Sequence, residues 1–291
     1  MSLARDRHLI RLALPKGHMQ DEVTTLLADA GVHVRVDSRS YRPTLSLPGF
    51  EAKLLRPQNI VEMLHLGSRD LGFAGADWVA ELGADLVELL NTGLDPVKLV
   101  AAANADILVD GKLPAQPLVV ASEYKRLTEK WIADRQLDAT FVLSYGATEV
   151  FPPEDADCIV DNTATGATLQ VNRLEIVDTL MLSSTRLLAN PRALDDVARR
   201  ETIEAFVMLV RSVLDARQRT MLEFNIPADR LQEVVDFLPC MRRPTVARLF
   251  GEDSYAVKAA VPRAELPALI HKIKAHGGAD LVVTEPDQLV P

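Results

Sequence analysis

The sequence has little cysteine, no long apolar run and no excess of positive charge. Its two cysteines, Cys158 and Cys240, stand far apart and form no metal-ligand spacing and no disulfide framework. They read as buried thiols of a reducing cytosol. No apolar run is long enough to span a bilayer. The N-terminal MSLARDRHLIRLAL alternates charged and apolar residues, so no signal peptide and a cytoplasmic location are expected. A formal net charge of −9 argues against non-specific nucleic-acid binding, which depends on neutralising phosphates. A local basic pocket for a small phosphorylated ligand remains compatible with it. What is present is ordinary: 48% apolar and 25% charged residues in 291 describe a globular chain with room for two or three domains.

The stretch 157–169, DCIVDNTATGATL, carries the strongest local signal. Cys158, Ile159 and Val160 form the short apolar run of a buried strand, expected to end at Asp161. Small or polar residues follow, and a helix is expected from about Thr168. Such a strand, turn and helix start lets backbone N–H groups converge on an anion. Thr165 and Thr168 add hydroxyl donors. Asp157 and Asp161 stand where a sugar hydroxyl or a phosphate-bound magnesium can meet them. The plain alternative is a turn that uses small residues only to turn.

Taken in order, the chain alternates strands and helices. Residues 9–14 read as a strand broken by Pro15-Lys16-Gly17, and Val23, Leu26, Leu27 and Ala30 recur at helical spacing up to Gly31. Lys16 then stands at the carboxyl end of the first strand, where open α/β sheets bind ligands; a solvated turn lysine is the alternative. Residues 32–47 read as two strands and a polar loop with Arg35, Arg39 and Arg42. Pro57 suits a first helical position after the strand 53–56. Residues 70–75 read as a strand, and Asp77 as the N-cap of the next helix. Arg56 and Asp77 both fall near strand-helix junctions. Strands are expected at 86–90 and 98–103, and the turn-rich segment 104–116 is the candidate hinge into a second lobe. That lobe has strand 118–121, helix 124–135, strand 139–143 and a glycine turn before Glu149, a carboxylate placed either to complement a helix start or to reach a ribose hydroxyl. Strands at 180–182 and 186–188 lead to a long helix, 195–217, where the chain returns to the first lobe. The last part reads β-α-β-β-α-β, the ferredoxin-like order.

Three motif sets stand in order: LPKG; RPQNI with DLGFAGAD; and YGATEV with ADCIVDNTATGATL. The tail adds LPCMRRPTV, VKAAVP and GGADLVVTE. Together they resemble the ATP phosphoribosyltransferase family in its long form, over nearly the whole chain. The resemblance implies an α/β fold with two periplasmic-binding-protein-like (type II) lobes, 1–103 with 183–216 and 104–182, and an ACT-like regulatory domain at 217–291. It implies a transferase that joins adenine N1 of ATP to C1 of phosphoribosyl pyrophosphate (PRPP), releases pyrophosphate, uses magnesium, opens histidine biosynthesis and is inhibited by histidine. A homo-oligomer, dimer to hexamer, is implied, with no nucleic-acid or membrane partner. PRPP falls on Asp161, Thr163, Ala164, Thr165, Gly166, Ala167 and Thr168, and ATP on Lys16, Gly17, Arg56 and Asp77. Lys16, Arg56, Glu149 and Asp161 are the catalytic candidates, and Thr245, Gly278 and Ala279 the candidates for histidine. The metal ligands stay open, and no residue reads as a general base.

Some positions depart from the family's pattern. His18 follows the PKG turn where arginine is usual, Asn59 replaces an aspartate, and the segment 95–98 lacks the usual glycine and cysteine. Two other readings follow. One is a catalytically weak paralogue that senses phosphorylated ligands. The other is an ordinary type I phosphoribosyltransferase, disfavoured because Asn162 follows Asp161 where that class has an acid pair.

Overall fold

The structure is a computed structural model that describes residues 9–36 and 41–290. Arg39, read above as part of a polar loop, lies outside the described residues. The elements follow in order: β1 (Ile10–Pro15), α1 (Met19–Asp29), β2 (Val34–Arg35), β3 (Thr44–Leu45), β4 (Phe50–Leu55), α2 (Pro57–His65), β5 (Leu71–Gly75), α3 (Ala76–Leu82) and β6 (Val87–Asn91). Then come β7 (Val97–Asn104), β8 (Leu118–Ser122), α4 (Lys125–Asp134), β9 (Ala139–Leu143), β10 (Cys158–Thr163), α5 (Ala167–Val171), β11 (Leu174–Ser183) and β12 (Thr185–Ala189). The chain closes with α6 (Val197–Gln218), β13 (Arg219–Pro227), α7 (Leu231–Phe237), β14 (Thr245–Arg248), β15 (Ser254–Pro262), α8 (Leu266–Ala275) and β16 (Ala279–Thr284).

Two compact units result: residues up to 25 with 33–203, and 26–32 with 204 onward. The first holds two five-stranded sheets, ordered β4-β1-β5-β12-β6 and β11-β7-β10-β8-β9. In the first sheet β1 runs parallel to β4 and β5, while β12 is antiparallel to β5 and β6. In the second, β8 runs parallel to β9 and β10, while β7 is antiparallel to β10 and β11. Each sheet thus contains one reversed strand, delivered where the chain crosses between lobes. That is the type II periplasmic-binding-protein arrangement. The crossings lie at residues 92–96 and at Ser184.

This pairing corrects the reading of 98–103 as part of the first lobe. The run LVAAA is buried in the second sheet, so the crossing precedes Val97 and the turn-rich 104–116 lies inside the second lobe. Leu174 to Ser183 is one ten-residue strand, longer than the expected 180–182.

Local chemistry explains the elements that frame the cleft. β1 and β5 are apolar because both faces of their sheet are covered. Pro57 starts α2, and Arg56 before it is extended (φ −67°, ψ 149°), as a residue preceding proline prefers. Gly72 lets α2 lie close on β5, since a Cβ there would fall 2.6 Å from Ile60 Cγ2. Beneath β1 and β5, buried Asp70 accepts from the Arg11 backbone (2.8 Å), Arg11 Nε (2.9 Å) and Nη2 (2.7 Å), and Arg199 Nη1 (3.2 Å).

The second unit carries the antiparallel sheet β14-β15-β13-β16, the ferredoxin-like order. Its core packs Leu222, Phe224 and Ile226 against Val234, Val257, Val261 and Ile273.

Asp70→Ala would leave two arginines facing a hole. Loss of one partner of a buried pair typically costs about 3–5 kcal/mol. The guanidinium groups keep 18% and 23% exposure, which points to the lower end. Urea unfolding should show a loss of about 3 kcal/mol; a loss under about 1 kcal/mol would mean that both arginines rehydrate without cost.

Candidate active site

The carboxyl edge of the first sheet sets two cations side by side. The Lys16 backbone N–H donates to Leu55 O at 2.8 Å, and Pro15 pairs with Leu55. Lys16 and Arg56 therefore leave adjacent parallel strands at the same level. Lys16 Nζ donates to Tyr41 Oη at 3.0 Å, and that hydrogen bond lowers the pKa of the exposed phenol. Arg56 is exposed and makes no side-chain hydrogen bond or ion pair among the described residues. Gly17 sits at φ +99°, with open space where a Cβ would be, so the turn needs glycine for its backbone alone.

Asp77 is not the helix cap that the sequence suggests. Gly75 occupies the cap of α3 and no side chain caps it. The Asp77 carboxylate, 4% exposed, instead accepts from Ser183 Oγ and from Tyr124 Oη, both at 2.6 Å. Asn162 Nδ2 donates to Tyr124 Oη at 2.8 Å, and Trp78 stacks on the Tyr124 ring at 4.5 Å between centroids. Burial, and then the Asp77 carboxylate, raise the pKa of Tyr124. One helical turn on, Glu81 accepts from the backbone N–H groups of Arg126 (2.9 Å) and Leu127 (3.0 Å). Two acids at i and i+4 on one face of α3 thus join the lobes at the start of α4. Each Asp77 oxygen accepts one hydrogen bond from across the lobes, and the residue also borders one of the hollows of the cleft.

In the second lobe, β10 continues past Asp161 to Thr163, further than its apolar residues indicate. Gly166 (φ +81°) turns the chain into α5, which has five residues. Within the turn Gly166 N–H donates to Thr163 Oγ1 at 3.0 Å and Ala167 N–H approaches Thr165 Oγ1 at 3.4 Å. Glu149 lies in a short 3-10 turn, residues 148–150, stabilised by a 2.7 Å contact between Ser144 Oγ and Thr148 Oγ1. Burial pushes the pKa of Asp161 up to about 6, with Glu149 and Glu123 adding to the rise. Asp157, expected near the ligand, is at the other end of β10, where its carboxylate accepts from Val119 N–H at 2.7 Å. It fastens two strands and is withdrawn from the site.

Two hollows line this region. One, of about 250 Å³, is bordered by Lys16, Pro57, Asp77, Asp95 and Ser184. The other, of about 330 Å³, is bordered by Glu149, Asp161, Thr163, Ala164, Thr165, Ala167 and Thr168. His18, Val97 and Asn162 border both, so the two form one cleft. Its first part is bordered by Lys16 and by Pro57, the residue after Arg56, and its second by acids and hydroxyls. A hollow of about 320 Å³ elsewhere is lined by Trp131, Arg135 and Asp178, where Arg135 and Asp178 already pair at 2.7 Å. Sequence reasoning did not single out Tyr124, Ser183 or Asp95 for the site. The acids flanking Trp78 at i and i+4 were the available signal for the α3 contacts.

No cluster of three or more His, Cys, Asp or Glu that could hold a metal occurs among the described residues. Asp161 and Glu149 border the same hollow, and this suits magnesium, which is usually held by one or two carboxylates together with substrate phosphates. The three tail candidates are not brought together. Thr245 is on β14 and Ala279 on β16, the opposite edges of one sheet. Gly278 has a packing reason of its own, because a Cβ there would fall 2.3 Å from Ile273 Cγ2.

No helix among the described residues is long and apolar enough to cross a membrane. The sequence model of the family described as ATP phosphoribosyltransferase matches residues 56–212, and that of its C-terminal domain (HisG, C-terminal domain) matches 216–286. The ATP phosphoribosyltransferase of Chlorobium phaeobacteroides is 34% identical over 289 residues, covering 98% of both chains. That of Pelotomaculum thermopropionicum is 34% identical over 287 residues, 97% of this chain and 99% of the relative. Among solved structures, a chain of the ATP phosphoribosyl transferase (HisG:HisZ) complex from Thermotoga maritima is 25% identical with a TM-score of 0.64; it is matched over 99% of its length by 71% of this chain. Family matches to both parts of the sequence, and relatives aligned from end to end, agree: the chain belongs to the ATP phosphoribosyltransferase family, pentosyltransferases of histidine biosynthesis.

Proposed function

We propose that this chain joins N1 of ATP to C1 of PRPP with release of pyrophosphate, and that it does so in the cleft between its first two lobes. The observation that carries this reading is the meeting, at His18, Val97 and Asn162, of a hollow bordered by Lys16 with one lined by acids and hydroxyls. Displacement at C1 builds positive charge on the sugar and negative charge on the departing pyrophosphate. Lys16 and Arg56 stabilise anionic phosphates. Asp161 and Glu149 hold the ribose hydroxyls and face the positive sugar, and residues 163–168 take the 5′-phosphate. When bound, magnesium supplies charge neutralisation on the pyrophosphate, with Asp161 and Glu149 placed to hold it. Positioning and electrostatic stabilisation do the catalytic work, and no general base is required.

The C-terminal unit binds histidine as an inhibitor. Thr245 and Ala279 lie on opposite sheet edges, so a site that uses both takes one edge from each of two copies. The protein then acts as a cytoplasmic homo-oligomer.

A progress curve with ATP, magnesium and PRPP, with pyrophosphatase present, tests the chemistry. It should give an adenylate that absorbs differently from ATP, at a rate suppressed by histidine; absence of that product refutes the transferase reading. Lys16→Ala should lose about 2.7–4 kcal/mol of transition-state stabilisation, roughly 10²–10³ in rate; unchanged turnover would remove Lys16 from the mechanism.

Asp161 presents a full negative charge to the ribose hydroxyls and the developing sugar cation only when ionised. With its pKa pushed up to about 6, the acid form dominates below that pH. The value of kcat/KM for PRPP should therefore fall about tenfold per pH unit there. Asp161→Asn should lower activity and abolish this limb, leaving only the titration of PRPP itself. An identical acid limb in the variant would assign the titration to another group.

Thr245→Glu and Ala279→Glu should each raise the histidine concentration that halves the rate, without changing KM for PRPP. If neither moves the inhibition curve, histidine binds elsewhere.

A further inference from the structure

The hollow bordered by Lys16 and Asp77 contains one buried acceptor that has no partner and that the proposed chemistry does not use. Asp95 lies on the crossing between β6 and β7, with its side chain 7% exposed. Its Oδ2 accepts weakly from Thr185 Oγ1 at 3.3 Å. Its Oδ1 is buried and has no hydrogen-bond partner. His18 Nε2 approaches to 3.6 Å, beyond hydrogen-bond range, on a side chain 91% exposed. The neighbouring polar groups are occupied: Asp77 by Ser183 and Tyr124, Asn162 Nδ2 by Tyr124, and Ser184 by Asn91. A buried acceptor left unpaired is costly, and Asp95 is further held at φ +45°, a conformation uncommon outside glycine. Backbone positions of this kind concentrate at ligand sites. Burial and the nearby Glu22 carboxylate raise the pKa of Asp95, which makes it a strong acceptor when ionised.

The remaining walls are apolar and broad: Met19, Pro57, Trp78 and Val97. A space of about 250 Å³ with such walls and a single unmet acceptor suits a flat heterocycle that carries a donor. We propose that Asp95 is a specificity-determining residue whose free Oδ1 accepts a hydrogen bond from the 6-amino group of the adenine ring. This rests on the reading above that the cleft takes ATP. A 6-oxopurine would turn an oxygen toward the carboxylate and be rejected. The contact also serves the chemistry. As the N1–C1 bond forms, the C1–O bond to pyrophosphate breaks and its electron pair leaves with the pyrophosphate. The purine then gains positive charge shared with its amino nitrogen, and the bond to Asp95 strengthens toward the transition state.

The test compares ATP with inosine triphosphate, its 6-oxo counterpart, by calorimetric binding to the whole protein; PRPP-dependent turnover is followed with ATP alone, because N1 of inosine carries a proton and has no free lone pair with which to attack C1. Asp95→Asn and Asp95→Gly both tolerate a positive φ. Wild type should favour ATP by about a hundredfold or more. Asp95→Gly should weaken ATP at least tenfold and leave inosine triphosphate unchanged. Asp95→Asn, whose amide can donate to a 6-oxygen, should shrink the preference at least tenfold. Equal binding of the two nucleotides by wild type, no ATP binding at all, or variants that keep the wild-type ratio would each overturn the proposal. A donor from the ribose would give this last result, since both nucleotides share that sugar. If ATP binds with the predicted preference and PRPP yields no product, the transferase reading fails while the adenine contact stands.

Discussion

The Asp77 carboxylate holds together four pieces of chain that are distant in sequence. It sits in the first turn of α3, takes the hydroxyl of Ser183 from the end of β11 and that of Tyr124 from before α4, and reaches Asn162 on β10 through the tyrosine. Burying an acid away from water is expensive, and here both oxygens receive short O–H bonds, the geometry that offsets such a cost. There is little slack around it. A Cβ on Gly75 would lie 2.1 Å from Asp77 Oδ1, so the residue before α3 has to be glycine for the carboxylate to stay where it is. The relative placement of the two lobes, and with it the width of the cleft, depends on this arrangement and on Glu81 one turn further along.

Much of the architecture is legible from local pattern. The strand 10–15, the helix opening on Pro57 and the β-α-β-β-α-β order of the tail follow from periodicity and from glycine and proline at element ends. The failures share a physical cause, which is that partners are not encoded locally. The run 98–103 is as apolar in one sheet as in the other, and only its pairing with β10 and β11 assigns it. An aspartate early in a helix looks like a cap, whereas the groups that bind Asp77 lie 106 and 47 residues away. The polar end of β10 is strand because β7 pairs with it as far as Thr163, and nothing in Asp161-Asn162-Thr163 announces this.

The same distinction applies to the candidate site. Residues on contiguous loops, such as 163–168 or Lys16-Gly17, are legible as candidates because turn chemistry is local. Asp95 is not legible as a site residue, because an Asp-Pro pair between strands carries no local signal beyond that of a turn. Its positive φ and its unmatched oxygen are visible only once the surrounding walls are in place. In the tail, Gly278 also has a packing role that no local pattern announces, since a Cβ there would fall 2.3 Å from Ile273 Cγ2.

The position of β12 has a consequence for how the chain is made. Among the described residues β6 pairs with no strand but β12, and β12 is separated from it by the whole second lobe. During synthesis from the N-terminus, β4, β1 and β5 can assemble early, while β6 and the free edge of β5 wait for about a hundred further residues to emerge. Closing that interval carries the entropy of a long loop, and an open sheet edge is a template for unwanted pairing in the meantime. The nascent protein therefore passes through a stage in which its second lobe is complete before its first, and exposure to aggregation or to chaperones is concentrated in that interval.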